Sequence, residues 1–396
     1  MMTICGLILP AELIRMVNLH RLVQFDGFIT LIIMGIGYMI VPRFRNITIP
    51  SVKLAYTSYA LLLISIILSI TVSSSSSIPK EIHTLAYFLA DVSRVLGVSI
   101  FCIMIMLILR IRPKLLRMAD YFIGLSVILF AALTVSYSLN YSIVTHNIQL
   151  WLMFPILMIF GVEYKTLPSF IGFIWPRKRL SVICATLLTI SVACGLVSSF
   201  HYDNTLIRTL FYVSLAGAVC FALALNIFVG FDTSEIMQLS KGEKKARYKY
   251  TLVIARLSFA FLLAGIILSI ISVYLSGIFV IYDMWVHIIA IGFIGLTIAL
   301  YLPLMLSPIL GRTVRFIRFS KFPIWLIVIS LGLRGVGDIL IQAISYSDEI
   351  SYQYLAIPLS LSGWMIVAAI LSFMFMIHRS MKVTTQVFAE DGTTAL

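Results

Sequence analysis

The stretch from His20 to Arg45, HRLVQFDGFITLIIMGIGYMIVPRFR, decides how the rest of this chain is read. Between the histidine and the Pro42-Arg43 step only Arg21 and Asp26 carry charge. That interval slightly exceeds the roughly 20 apolar residues an α-helix needs to cross a hydrocarbon core. A helix on the surface of a soluble protein keeps one polar face, and this run has none. It reads as a transmembrane helix that begins at His20 and ends on basic residues.

Ten further runs of the same kind follow. The eleven expected spans are 20–42, 51–73, 83–109, 118–140, 146–168, 179–200, 204–230, 250–275, 280–308, 321–345 and 352–378. The whole-chain composition agrees. Of 396 residues, 61% are hydrophobic and 11% charged, and mean hydropathy is +1.07. A soluble domain carries about 25% charged residues, so a soluble enzyme is excluded. The expected fold is an all-α polytopic membrane helix bundle occupying residues 1–396 as a single integral membrane domain. Residues 1–19, which contain Glu12 and Arg15, are too short and polar to span. They also lack the basic n-region and small-residue cleavage site of a signal peptide.

A net charge of +13 and a pI near 9.6 could suggest a nucleic-acid partner, but the distribution of charge assigns it to topology. Alternate connections hold Arg43 and Arg45, Arg110 to Arg117, Arg177 to Arg179, Lys241 to Lys249, Arg312 to Lys321, and Arg379 with Lys382. With the span ends included, 23 of the 29 Lys and Arg fall on that side. The other side has Arg15, Arg21, Lys80 and Arg208, and two arginines lie within spans. Because basic residues are retained in the cytoplasm, the expected orientation in the plasma membrane is N-terminus outside and C-terminus inside. The partner is the lipid bilayer and no nucleic acid is expected. The five cysteines form no CxxC pair, which argues against a disulfide framework or zinc site.

The histidines fall unevenly. His20, His83 and His146 begin outward-starting spans, His287 lies about two turns inside span nine, and His201 and His378 lie at the boundaries. A lone histidine near a helix end is commonly interfacial. His20, His146 and His287 differ because they share a repeat. Aligning His20 with His146 brings Phe28 onto Phe154, Gly35 onto Gly161, Tyr38 onto Tyr164 and Pro42 onto Pro168 without a gap. A looser third copy begins at His287, where Gly292-Phe293 matches Gly27-Phe28 two residues nearer its histidine and Pro308 closes the span. Spans one, five and nine are therefore expected to be equivalent, in three arcs of four, four and three helices: 20–145, 146–279 and 280–378, with 379–396 a cytoplasmic tail.

The His20 stretch, with its Gly35-Ile-Gly-Tyr-Met-Ile-Val-Pro-Arg end, resembles the heme-ligand helix of subunit I in heme-copper oxidases and nitric oxide reductases. The stretch from His287 through Gly292-Phe293 to Pro308-Ile-Leu-Gly-Arg, and Leu361-Ser-Gly-Trp-Met-Ile-Val-Ala-Ala, look like the NnrS family of membrane proteins linked to nitric oxide metabolism. The resemblance implies a subunit I-like fold lacking its first helix, and a heme with His20 and His287 as axial ligands. It leaves His83 and His146 as candidates for a second metal centre, with copper among the options. The tandem His-His, the His-Pro-Glu run and the His-x-His pair of an oxygen-reducing site are absent, so a full oxygen-reduction centre is not expected. If enzymatic, the chain would be an oxidoreductase. Expected partners are other membrane redox subunits or an electron donor at the outer face.

Asp26, Asp91, Arg94, Arg334 and Asp338 fall inside spans, where a charge costs roughly 2.5–3.5 kcal/mol on insertion scales and is usually paired. Asp91 and Arg94 are three residues apart, and Arg334 and Asp338 four, so each pair is expected to close on one helix face. Both arginines count as near mid-membrane. These charges carry two competing readings: a secondary transporter with buried Asp/Arg pairs, or a cofactor-free structural subunit of a respiratory complex. An even repeat that keeps its orientation is unlike the inverted repeats of transporters and favours the heme-binding reading, in nitric oxide response or electron transfer.

Overall fold

The structure is a computed structural model that describes residues 3–4, 7–8, 19–74, 79–111, 117–139, 148–171, 173–200, 203–228, 242–275, 278–301, 321–344 and 352–390. His146, His201, Pro308 and the basic residues Arg112, Lys114, Arg312, Arg315 and Arg318 lie outside them.

Among the described residues, eleven helices are long and apolar enough to cross a membrane. They are α1 (Leu19–Phe44), α2 (Val52–Ser74), α3 (Lys80–Arg110), α4 (Met118–Ser138), α5 (Ile148–Thr166) and α6 (Lys178–Phe200). The others are α7 (Asn204–Ala224), α8 (Gly242–Tyr274), α9 (Val280–Tyr301), α10 (Phe322–Ile344) and α11 (Tyr352–Glu390). A two-residue β-hairpin, Thr3–Ile4 with Leu7–Ile8, precedes them. Local chemistry starts several helices. Ser51 Oγ accepts the Leu54 amide, Asp120 Oδ2 the Arg117 amide and Asp203 Oδ1 the Thr205 amide, which satisfies donors that helix starts otherwise orphan. The expected 231–249 loop ends early, because residues from Gly242 already belong to α8.

The chain forms two compact units. Unit 1 comprises Met1–Thr166 and Trp175–Ala224, and unit 2 comprises Leu167–Ile174 and Leu225–Leu396. Within unit 1 the closest packed pairs are α2 with α3, α4 with α5 and α6 with α7; within unit 2 they are α8 with α9 and α10 with α11. The closest pairs are thus chain neighbours, recurring every two helices from α2 onward.

Three of these pairs, α2 with α3, α6 with α7 and α10 with α11, share a device that the histidine alignment did not reveal. Each crosses at a glycine: Gly97 in α3, Gly217 in α7 and Gly337 in α10, spaced 120 residues apart in the chain. A Cβ at Gly97 would lie 2.9 Å from the Ser58 carbonyl of α2. At Gly217 it would lie 2.7 Å from Leu188 Cδ2 of α6, and at Gly337 2.9 Å from Leu359 Cδ2 of α11. Small residues admit this approach because lipid supplies no hydrophobic drive between helices, and van der Waals packing must hold them.

A second recurrence lies in unit 1. Tyr38 of α1 bonds Ser58 of α2 at 2.6 Å and meets the ring of Phe101 of α3 edge-on at 5.2 Å. Tyr164 of α5 has Ser181 of α6 near its hydroxyl, but without a hydrogen bond between them, and meets Phe221 of α7 edge-on at 4.9 Å. The pairing of Tyr38 with Tyr164 read from the sequence thus carries a tyrosine, serine and phenylalanine arrangement shared across three helices.

The expected equivalence of spans one, five and nine needs correction. α1 and α9 each contain an eight-residue π-helical segment, Val23–Thr30 and Ile288–Gly295. Gly27-Phe28-Ile29 and Gly292-Phe293-Ile294 occupy the same three positions within them. Measured from this landmark, Trp285 and not His287 corresponds to His20. His287 sits two residues further along, about 3 Å at the α-helical rise. α5 is α-helical from Ile148 to Thr166 and has its π turn afterwards, at Leu167–Ile171. Gly35 and Gly161 differ as well. A Cβ at Gly161 would lie 2.8 Å from the Ala119 carbonyl, whereas one at Gly35 meets nothing within 4 Å.

Candidate functional site

The charges placed within spans gather into two centres, one per unit, and neither pairs as the spacing suggested. In unit 1, Arg94 Nη2 donates to Asp26 Oδ1 at 2.9 Å, from α3 across to α1. Asp91 shares the field of Arg94 but is only half-buried and does not form the ion pair. The physical reason is burial. Both Asp26 and Arg94 have side chains 8% exposed, where an unpaired charge is least tolerable, while Asp91 lies nearer the surface.

Aromatic rings complete this centre. The Arg94 guanidinium lies 4.4 Å from the ring centroid of Tyr137 in α4 and 5.3 Å from that of Trp151 in α5, and Trp151 meets Phe25 edge-on. These contacts also correct the depth of Arg94. Tyr137 is the second-to-last residue of α4 and Trp151 the fourth of α5, so Arg94 lies towards the end of the unit where α1 begins. Residue counting misplaced it because α3, at 31 residues, extends about 46 Å, well beyond a bilayer core.

In unit 2, Arg334 of α10 clamps Asp283 of α9 with both prongs of its guanidinium, Nε to Oδ2 at 2.7 Å and Nη2 to Oδ1 at 3.1 Å. The expected Arg334–Asp338 pair on one helix face is replaced by this crossed, bidentate contact, the geometry in which arginine binds a carboxylate most strongly. Asp338 is 1% exposed and lies within hydrogen-bonding reach of the Asp283 carboxyl. His287, one turn beyond Asp283, places Nδ1 2.8 Å from the Asp283 carbonyl and 3.2 Å from Oδ2. Asp283 is therefore the hub of this centre, and the sequence reading passed over it. Its signal was an acidic residue four before a histidine at the start of a span.

The remaining histidines are dispersed. His20 is exposed on unit 1, near the start of α1. His83 is half-buried near the start of α3, with its ring edge-on to Tyr87. Among the described residues no three His, Cys, Asp or Glu side chains gather so as to hold a metal ion. His83 thus belongs to no protein-only metal site there, and its expected partner His146 lies outside the described residues.

At the far end of α1, Arg45 pairs with Asp120 of α4 at 3.3 Å and donates to the Leu109 carbonyl at 3.0 Å. Lys165 donates to the Phe44 carbonyl at 3.1 Å. These contacts tie α1 to α3, α4 and α5 and read as structural anchors. α5 itself is the most enclosed helix: every residue from Gln149 to Tyr164 is buried.

A heme, the group implied by the resemblance, can be tested against His287. The ring presents Nδ1 to two oxygens of Asp283, the arrangement by which ligating histidines fix their tautomer through a carbonyl or carboxylate behind them. Ligation would then run through Nε2, so the donor chemistry fits. Because a porphyrin brings its own four nitrogens, the lack of a three-residue cluster among the described residues does not conflict with it. No family model matches the chain, and no curated protein matches it.

Proposed function

We propose that this chain is a heme-binding integral membrane protein acting in nitric oxide response or membrane electron transfer, with His20 and His287 as axial ligands. The observation that carries the reading is His287. It is partly buried at the junction where α9 passes from α-helical to π-helical, with Nδ1 held by the residue one turn before it. π-helical segments are rare and frequent at functional sites, and α1 carries its own just after His20. When bound, the heme would supply an iron that exchanges electrons, or that binds a diatomic gas once one imidazole is displaced. The chain's part is to offer two imidazoles on separate helices, the His287 ring being held by Asp283. In this reading α1 starts at the outer face of the plasma membrane, in line with the 23-to-4 basic asymmetry, so an electron donor would dock on that side.

The test is an optical spectrum of the protein purified in detergent, with a pyridine hemochrome assay for heme content. Heme at about one equivalent, with low-spin bands lost in His20→Ala and in His287→Ala, is the expected result. Normal bands in both variants, or no heme in the parent protein, would overturn the reading.

The transporter reading draws on a separate observation, the ion pairs Asp26–Arg94 and Asp283–Arg334 bridging helices inside each unit. Proteoliposome uptake abolished by Asp338→Asn, in a protein free of heme, would favour it.

A further inference from the structure

Asp283 touches His287 twice and is itself gripped by Arg334, and nothing in the proposed ligation requires this grip. The contacts determine where the proton of a neutral His287 resides. Nδ1 faces the Asp283 carbonyl at 2.8 Å and Oδ2 at 3.2 Å, and both oxygens are acceptors. A bare Nδ1 lone pair aimed at two acceptors would be repelled, so the proton belongs on Nδ1 and the lone pair on Nε2. Oδ2 is also the atom that accepts the 2.7 Å bond from Arg334 Nε. One carboxylate oxygen therefore divides its electron density between a guanidinium on α10 and an imidazole on α9.

We infer that Asp283, clamped by Arg334, is a positioning residue that holds His287 in its Nδ1-protonated tautomer, and that Arg334 sets how strongly the carboxylate pulls on that proton. The inference deepens the heme reading, on which its electronic consequence rests, whereas the tautomer itself does not depend on heme. A carboxylate behind a ligating imidazole strengthens the donor nitrogen and stabilises oxidised iron. Arg334 opposes this by drawing the same oxygen towards itself. Removing the acid and removing the arginine must then act in opposite directions, which a residue serving only to hold helices together would not do.

The experiment uses the full chain in lipid bilayers and two readouts. The first is solid-state NMR of protein labelled with ¹⁵N-histidine, the His287 signal being identified by its loss in His287→Ala. The parent should show His287 protonated at Nδ1, and Asp283→Asn should lose part of that population. The second is the heme midpoint potential by spectroelectrochemical titration. Asp283→Asn should shift it upward and Arg334→Leu downward. If Arg334→Leu does not fold, Arg334→Lys, which keeps the charge without the two-pronged grip, should give a smaller downward shift. Protonation at Nε2 in the parent, or shifts of the same sign in the two variants, would overturn the inference. A parent protein with no heme but with Nδ1-protonated His287, sensitive to Asp283→Asn, would sink the heme reading and leave the positioning role standing.

Discussion

Removing the Asp26 carboxylate puts the reasoning about the unit 1 centre at risk most directly. Arg94 and Asp26 meet at 2.9 Å with both side chains 8% exposed, so truncating the acid strands a guanidinium inside the bundle. Two unit charges about 4 Å apart interact by about 4 kcal/mol at the effective dielectric that reproduces measured pairs. Breaking a buried pair by removing one partner typically costs about 3–5 kcal/mol. The Tyr137 and Trp151 faces beside Arg94 recover ~1 kcal/mol of this, because a ring quadrupole solvates a cation only partly. Asp26→Ala should therefore destabilise the fold by about 3 kcal/mol. Replacing both residues, Asp26→Leu with Arg94→Leu, should cost much less than the sum of the single changes, since a buried pair exchanged for apolar side chains is often nearly neutral. Asp91→Ala is the control, and should cost about 1 kcal/mol or less because that side chain is half-exposed and outside the ion pair. Equilibrium unfolding by SDS in mixed micelles, followed by tryptophan fluorescence, measures all of these. Additive single and double changes, or an Asp91→Ala cost matching that of Asp26→Ala, would refute the assignment.

Other expectations follow from packing. Gly161→Ala should lower stability by about 1–3 kcal/mol, because its Cβ would meet the Ala119 carbonyl and backbone of α4, whereas Gly35→Ala should change unfolding by less than ~0.5 kcal/mol. Gly97→Ala should weaken its hairpin most among the three crossing glycines, since its obstruction is the Ser58 carbonyl and not a side chain that can move, and thermal melts of the three variants rank them. Tyr38→Phe removes the 2.6 Å bond to Ser58 and should cost about 1 kcal/mol in the same unfolding assay. Cysteines introduced at Asn46 and at Thr205 should be labelled by a membrane-impermeant reagent only from the inner and only from the outer side respectively, which checks the proposed orientation.

The eleven helices were legible in the sequence, though the ends of α7, α8 and α11 were misread by six to twelve residues, because the bilayer imposes a one-dimensional rule. A span must be about 20 residues long and apolar on every side, and both conditions are local. The α1, α6 and α9 starts were read to within two residues. A likeness between α1 and α5 was legible too, in Tyr38 and Tyr164, because side chains packed in similar places leave similar letters. Partner choice was not. Asp91 and Arg94 satisfy the spacing rule for a pair on one helix, yet Arg94 takes Asp26, since the cost of an uncompensated charge depends on burial and burial is set by neighbouring helices. Asp283 drew no notice in the sequence because its value lies in an arginine 51 residues away and a histidine one turn on. The two-residue offset between His20 and His287 was already visible at Gly27-Phe28 and Gly292-Phe293, but the π-helical segments around both landmarks were not. Their wider turns alter which residues share a face, and no composition or periodicity records that change.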